Sequence, residues 1–506
     1  MRSVLNPQLT LTEMDIGSIE ISTKSRDDIP KLLLGLQYLY THPEIREAVF
    51  EILKQVTPLR ADGKSKASLA MGRPGMDQWR ILVLGTLRLC LNADYDRVME
   101  LANHHDTVRR MLGHPGAIDE LDPTEYTMQT IKDNLRLFTP EILARINEVV
   151  VRGGHELVKK SLSRGFSGEL AARVDSFVVE TDVHYPTDVN LLLDAIRKTV
   201  TICGRLAAER GWSEWRQYQH NARAFKRQCR KLSKLKRSNA RDEAKREAKN
   251  KEIQGAYRDS IEEAQAHLAR ARQTRQKLQK ETKISLVLAL ELKELDRFMQ
   301  HAERQIDQIR RRALEGQTIP HDEKVFSIFQ EHTEWISKGK AGVPVELGLK
   351  VAVVEDQHRF ILNHRVLEKT EDVDAALPLI EETQKIYGTL ESASFDKGFH
   401  SEANQSGLKK IMPRVVMPKK GKLSAQELER QTDEEFIRLR KQHSAVESAI
   451  NALEHHGLDR CLDHGIVGFK RYVALAILSR NVLRIGQILH QQHERHRKRT
   501  FDKQAA

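Results

Sequence analysis

The chain has 506 residues, of which 40% are hydrophobic, 5% aromatic and 30% charged, and its net charge is +12. A chain of this length can bury a large core in more than one domain, and the excess of base favours a polyanionic partner, nucleic acid ahead of membrane. The apolar run around Ile284 to Leu290 is too short to span a bilayer and the N-terminus shows no signal-peptide core, so a cytoplasmic protein is expected; four dispersed cysteines support neither a disulfide framework nor a zinc ribbon.

Residues 1–66 read as helical, with Leu32, Leu33, Leu36, Leu39 and Tyr40 at helix spacing after Ile29-Pro30. A break at ADGKSK leads into region 67–165, which opens on a basic Gly-Pro entry. There a helix from Trp79 to Leu91, an Asn-Ala-Asp turn and a helix from Tyr95 to about His104 form a helix-turn-helix pattern. Arg73, Arg80, Arg88, Arg97, Arg109 and Arg110 are expected on its outside, with Arg73 and Arg80 as DNA contacts. Asp122-Pro123-Thr124 reads as a helix start.

The segment RVDSFVVETDVHYPTDVNLLLDAIR then holds a β-branched run that stops at the breakers of HYPTD. Asp175 lies inside that strand. A carboxylate there is costly to bury, so it belongs either at a sheet edge in water or beside a cation. From Asn190 to about Glu315 the pattern is helical. Tyr218, Ala222, Phe225, Cys229 and Leu232 step by four and three, as do Leu288, Leu292, Leu295, Met299, Ala302, Ile306 and Ile309, which is the narrow stripe of a coiled coil. With the basic run KRQCRKLSKLKRSNARDEAKREAKNK between them, the two stripes suggest an antiparallel arm inserted within a domain. The basic run is equally consistent with a solvated face, phosphate contact or dimerisation.

Alternation resumes at Glu346, with Leu347, Leu349, Val351 and Val353, a turn at Glu355 to His358, and a return strand through Phe360, Leu362 and Val366. A helix over Asp372 to Tyr387, the strand LESASF ending at Asp396, and a strand from Ile411 to Met417 follow. Next comes the loop with Lys419, Lys420 and Lys422, a candidate phosphate contact. In KQHSAVESAINALEHHGLDR, Val446, Ile450, Leu453 and Gly457 form a buried stripe, while Arg440, His443, Glu447, Asn451 and Glu454 share a polar face. Arg440 and His443 there are candidates to meet a phosphate. Asp175, Asp396 and Glu447 together make an all-oxygen donor set suited to Mg²⁺ or Mn²⁺, and two such ions serve in-line phosphoryl displacement. No histidine pair forms a tight zinc motif.

The blocks DSFVVETDVHYPTDVNLLLDAIR, EKVFSIFQEHTEWISKGKAGVPVELGLKVAV, SFDKGFHS and HSAVESAINALEHHGLDRC resemble those of bacterial insertion-sequence transposases of the DDE type, close to the ISNCY-like group. The resemblance implies an α/β RNase H-like catalytic core, with a mixed sheet and flanking helices. The long antiparallel coiled-coil insertion read from the helical stripes would interrupt it, at a place unlike some relatives, and an all-α DNA-binding region would precede it. Its parts would be the catalytic segments 166–200 and 319–485, the insertion 201–318 and a basic tail, 486–506. It also implies Mg²⁺-dependent cutting at transposon ends and joining to target DNA, homodimerisation to pair two ends, and Asp175, Asp396 and Glu447 as catalytic and metal-holding acids. Asp182 or Asp188 would replace Asp175 in another strand register. Relatives often carry Tyr-x2-Arg-x3-Glu-x6-Lys around the last acid. This chain has Arg440, His443, Glu447 and Glu454 there, leaving His455 or Lys470 to supply a phosphate contact. A metal nuclease without strand transfer and an inactive DNA-binding scaffold are the alternatives.

Overall fold

A computed structural model describes residues 3–5, 15–56, 75–116, 118, 122–161, 168–237, 242–281, 285–337 and 344–505. The chain divides into two compact units, one made of residues 1–182 and 336–506, the other of Val183–Trp335.

The first unit begins with helices α1 (Asp28–Thr41), α2 (Pro43–Leu53), α3 (Gln78–Cys90), α4 (Tyr95–His104), α5 (Asp106–Met111), α6 (Met128–Leu135) and α7 (Pro140–Ser161). Their starts follow ordinary capping chemistry: Asp27, Asp94 and Thr127 each accept a backbone N–H from the first turn of the helix they precede. The start expected at Asp122 is displaced to Thr127, because the Asp122 carboxylate is drawn inward to Arg109 and His114. Strand β1 (Leu170–Thr181) follows.

The second unit is helical: α8 (Asp188–Glu209), α9 (Tyr218–Arg237), α10 (Glu243–Gln279) and α11 (Leu286–Ile309). The apolar stripes of α9 and α11 are buried as their spacing predicts, from Phe225, Cys229 and Leu232 to Leu288, Leu295 and Ile306. They do not pair as a two-helix arm. They share one core with Leu192, Ile196 and Leu206 of α8 and with Ile261 and Leu268 of α10, so among the described residues the insertion packs as four helices, and it begins earlier than expected, at Val183. The reason is the continuous apolar face of α8, which needs partners of its own.

Strand β2 (Glu334–Ser337) leads back to β3 (Val345–Glu355), β4 (Ile361–Leu367), α12 (Asp372–Tyr387), β5 (Leu390–Phe395), α13 (Glu402–Leu408), β6 (Arg414–Val416), α14 (Ala425–Thr432), α15 (Glu434–His443), α16 (Ala445–Leu453), β7 (Arg460–Cys461) and α17 (Gly465–Ala505). The sheet order is β2-β3-β1-β5-β6, with β4 also on β3 and β7 also on β1. β1 runs antiparallel to β3 and parallel to β5, β3 is antiparallel to β4, and β5 is parallel to β6. Asp175 therefore lies on a central strand and not at an edge.

The residues expected to form a basic tail continue α17 as a helix. It is the one described helix long and apolar enough to cross a membrane, yet 78% of its most apolar window is buried. It packs on α1, α3 and α7. The α1–α17 crossing is a backbone-to-backbone contact: a Cβ at Gly486 would sit 1.6 Å from the Lys31 carbonyl oxygen, and one at Gly35 2.2 Å from that of Val482. Only glycine fits there. Buried Asn481 ties α17 to the sheet, accepting from the Ile361 N–H at 2.9 Å and donating to the Ile361 carbonyl at 2.8 Å.

Candidate active site

The parallel register of β1 and β5 ends at Val174 opposite Phe395. One step further along each strand stand Asp175 and Asp396, so the two acids leave adjacent strands, about 5 Å apart by strand spacing, at the same level. Asp396 is exposed and accepts the Gly398 N–H at 3.3 Å, capping a single turn, Lys397–Phe399. Gly398 does not adopt a left-handed backbone, and a Cβ there would meet only ordinary contacts, 3.5 Å from Asp372 Oδ2 and 3.6 Å from Asp396 Oδ2. The cap, not a special glycine conformation, aims this carboxylate.

Asp175 is half-buried, and its Oδ1 accepts the Ser176 N–H at 2.7 Å. Burial raises its pKa to about 6; the Ser176 bond opposes the rise, and the charges of Asp396, Glu447 and Asp372 add to it. Asp175 thus feels two of its expected partners. Asp182 and Asp188 do not join this group, since Asp182 faces Arg460 at 3.9 Å and Asp188 is held by Arg312 at 2.6 Å in the second unit.

Asp372 was not among the expected acids. It opens α12, where an acid in the first turn reads as ordinary dipole chemistry. Its Oδ1 accepts the Ser176 hydroxyl at 2.7 Å and its Oδ2 meets Lys350 Nζ at 3.1 Å. The Lys350 pKa is raised: burial lowers it, but bonds to Glu371 and Asp372 outweigh that.

Glu447 is exposed in the first turn of α16, on the other side of Val446, Ile450 and Leu453, which are buried as expected. The polar face is carried by two helices that meet at Ser444. His443 closes α15 beside the acids and shares a 3.0 Å hydrogen bond between Nδ1 and Ser394 Oγ. Burial lowers its pKa; Asp396 and Glu447 pull it up, while Arg173 pushes it down. Arg440 is exposed in the last turn of α15. Lys420 and Lys422 are exposed, and Lys419 lies 3.8 Å from Glu402. Of the substitutes considered for the missing lysine, Lys470 is occupied by Glu368 at 2.5 Å and His455 is exposed.

The N-terminal arginines depart from expectation. Arg73 lies outside the described residues. Arg88 is 3% exposed and bound to Asp463 at 2.9 Å, and Arg109 is wholly buried against Asp122 at 2.8 Å. Arg80 is only 17% exposed, 3.6 Å from Asp77. These guanidiniums hold helices and loops together, which their helical spacing alone could not reveal. Arg97 is exposed.

The chemistry of the donor set fits a hard divalent cation: oxygen ligands only, with Asp396 and Glu447 open to water. Among the described residues no group of three His, Cys, Asp or Glu side chains is gathered tightly enough to hold an ion, so the acids are neighbours rather than a formed cage. No protein-family model, curated protein or solved structure matches the chain.

Proposed function

We propose that this chain is a DNA transposase of the DDE type, with an RNase H-like core, acting on double-stranded transposon ends and target DNA as a cytoplasmic, nucleoid-associated homodimer. The observation that carries the reading is that Asp175 and Asp396 leave adjacent strands at the same level, with the charge of Glu447, from a helix, acting on Asp175. The strand order adds support: an antiparallel meander on one side of β1 and two parallel strands on the other accord with the core that the sequence blocks imply.

In this reading Asp175, Asp396 and Glu447 would hold Mg²⁺ or Mn²⁺. When bound, such ions supply Lewis-acid activation of the attacking oxygen and stabilisation of the leaving oxygen. The protein's own part is positioning. The Ser176 N–H orients Asp175, and the Gly398 N–H orients Asp396. Arg440 and the loop cations Lys420 and Lys422 offer exposed positive charge to phosphates. His443, its pKa lowered by burial, orients the α15–α16 junction through Ser394.

The test uses purified protein, Mg²⁺ and the DNA flanking its gene, comparing wild type with Asp396→Asn on a sequencing gel. Defined cuts with joined 3′-ends, lost by at least about 10³-fold in the variant while binding persists, are expected. Cuts without joined products would make it a nuclease. Binding without cutting by either protein would make it a scaffold and sink the catalytic reading.

A further inference from the structure

Helix α9 carries eight lysines and arginines in twenty residues and not one acid. At 100° per residue, Arg223, Lys226, Arg227, Arg230, Lys231, Lys234 and Arg237 fall within an arc of about 140°, opposite the buried Phe225, Cys229 and Leu232. All seven are exposed, and among the described residues none of them is in an ion pair. The eighth, Lys236, lies off the stripe over the Tyr257 ring.

The neighbouring helices show what an ordinary solvated face looks like in this unit. Lys251 pairs with Glu247 at 3.0 Å, Arg272 with Glu303 at 2.6 Å, Arg275 with Asp296 at 2.7 Å, and Arg205 with Glu291 at 2.6 Å. Opposite charges interleave there, so the helices gain from their own surfaces. On α9 every charged neighbour at i+3 or i+4 along the stripe is a like charge, which weakens an isolated helix. Such a face becomes favourable only against an external polyanion.

We propose that the α9 stripe is a docking surface for the phosphate backbone of duplex DNA, giving the helical insertion a role in sequence-independent DNA binding. From Arg223 to Arg237 the stripe is about 21 Å long, a length over which duplex DNA presents about a dozen phosphate charges. A second copy of the same face is a poor occupant, since a two-fold contact would set seven cations against seven. The inference rests on the DNA-binding half of the function proposed above and not on its acids.

The full-length protein would be titrated onto a 30-base-pair duplex of unrelated sequence at several salt concentrations, wild type against Lys226→Gln/Arg230→Gln/Lys234→Gln/Arg237→Gln. If each lost cation contacts a phosphate, the log–log salt slope should shrink by about 3 to 4 and affinity near physiological salt should fall at least about tenfold. The charge-conserving set Lys226→Arg/Arg230→Lys/Lys234→Arg/Arg237→Lys should bind like wild type, and circular dichroism should show the glutamine set folded. An unchanged slope in that folded protein would overturn the proposal. So would loss of binding to poly-glutamate or to a structured RNA with duplex binding intact, which would assign the stripe to another class of partner. The slope is read without added Mg²⁺, so failure of the catalytic reading would be seen separately, in the cleavage assay.

Discussion

The arginines of α3 and α5 and those of α9 look alike in sequence, yet the molecule uses them in opposite ways. Arg88 and Arg109 are buried and each is matched to a carboxylate, while the cations of the α9 stripe are exposed and, among the described residues, matched to none. A helical stripe of arginine therefore indicates DNA only when the structure leaves its charge unspent. In the N-terminal bundle the distant partners Asp463 and Asp122 spend it. On the α9 stripe no acid arrives among the described residues.

The largest effect that would break this contrast is on stability. Arg109→Gln takes the guanidinium from buried Asp122 and leaves it His114 alone, and removing one member of a buried pair costs about 3–5 kcal/mol. The urea midpoint should fall accordingly, with the salt slope of DNA binding unchanged; a shallower slope at wild-type stability would make Arg109 a DNA contact after all.

An intermediate effect concerns the acids. The folded state holds the Asp175 proton more tightly than the unfolded chain, because its pKa is raised from 3.8 to about 6. Stability is thus lost as pH rises from about 4 to 6, and the penalty is complete above that. Asp175→Asn should be equal to wild type near pH 4 and more stable by about 1–2 kcal/mol at pH 8, the shift being discounted for partial exposure. Denaturant melts at the two pH values check this. Mn²⁺ at pH 8 should raise the wild-type midpoint and leave that of the variant where it is.

The smallest effect is expected at Arg97, the exposed arginine of α4. Arg97→Gln should move stability by less than about 0.5 kcal/mol and the salt slope by no more than about 1. A larger change in slope would return weight to the N-terminal helices as a DNA surface and narrow the difference from α9.

Local patterning was legible where one element answers to one rule. The helix over Asp372–Tyr387, the strand Leu390–Phe395 and the buried stripe Val446, Ile450 and Leu453 follow from periodicity and breakers. The three expected acids could be named because carboxylates at a strand, a strand end and a polar helix face are conspicuous there. Asp372 could not, since its approach to Asp175 depends on how α12 meets the sheet, and its sequence setting is that of any helix start.

The sequence by itself determined which segments are helix or strand, which faces are apolar and that the chain is rich in base. Those properties depend on neighbours within a turn or two. Tertiary structure alone decided that β1 is central, that the insertion packs as four helices, and that Gly35 and Gly486 let α1 and α17 touch backbone to backbone. It also decided which cations are neutralised. The physical reason is that burial and charge pairing join residues far apart in the chain, as Arg88 is joined to Asp463, and no local pattern records such a partner.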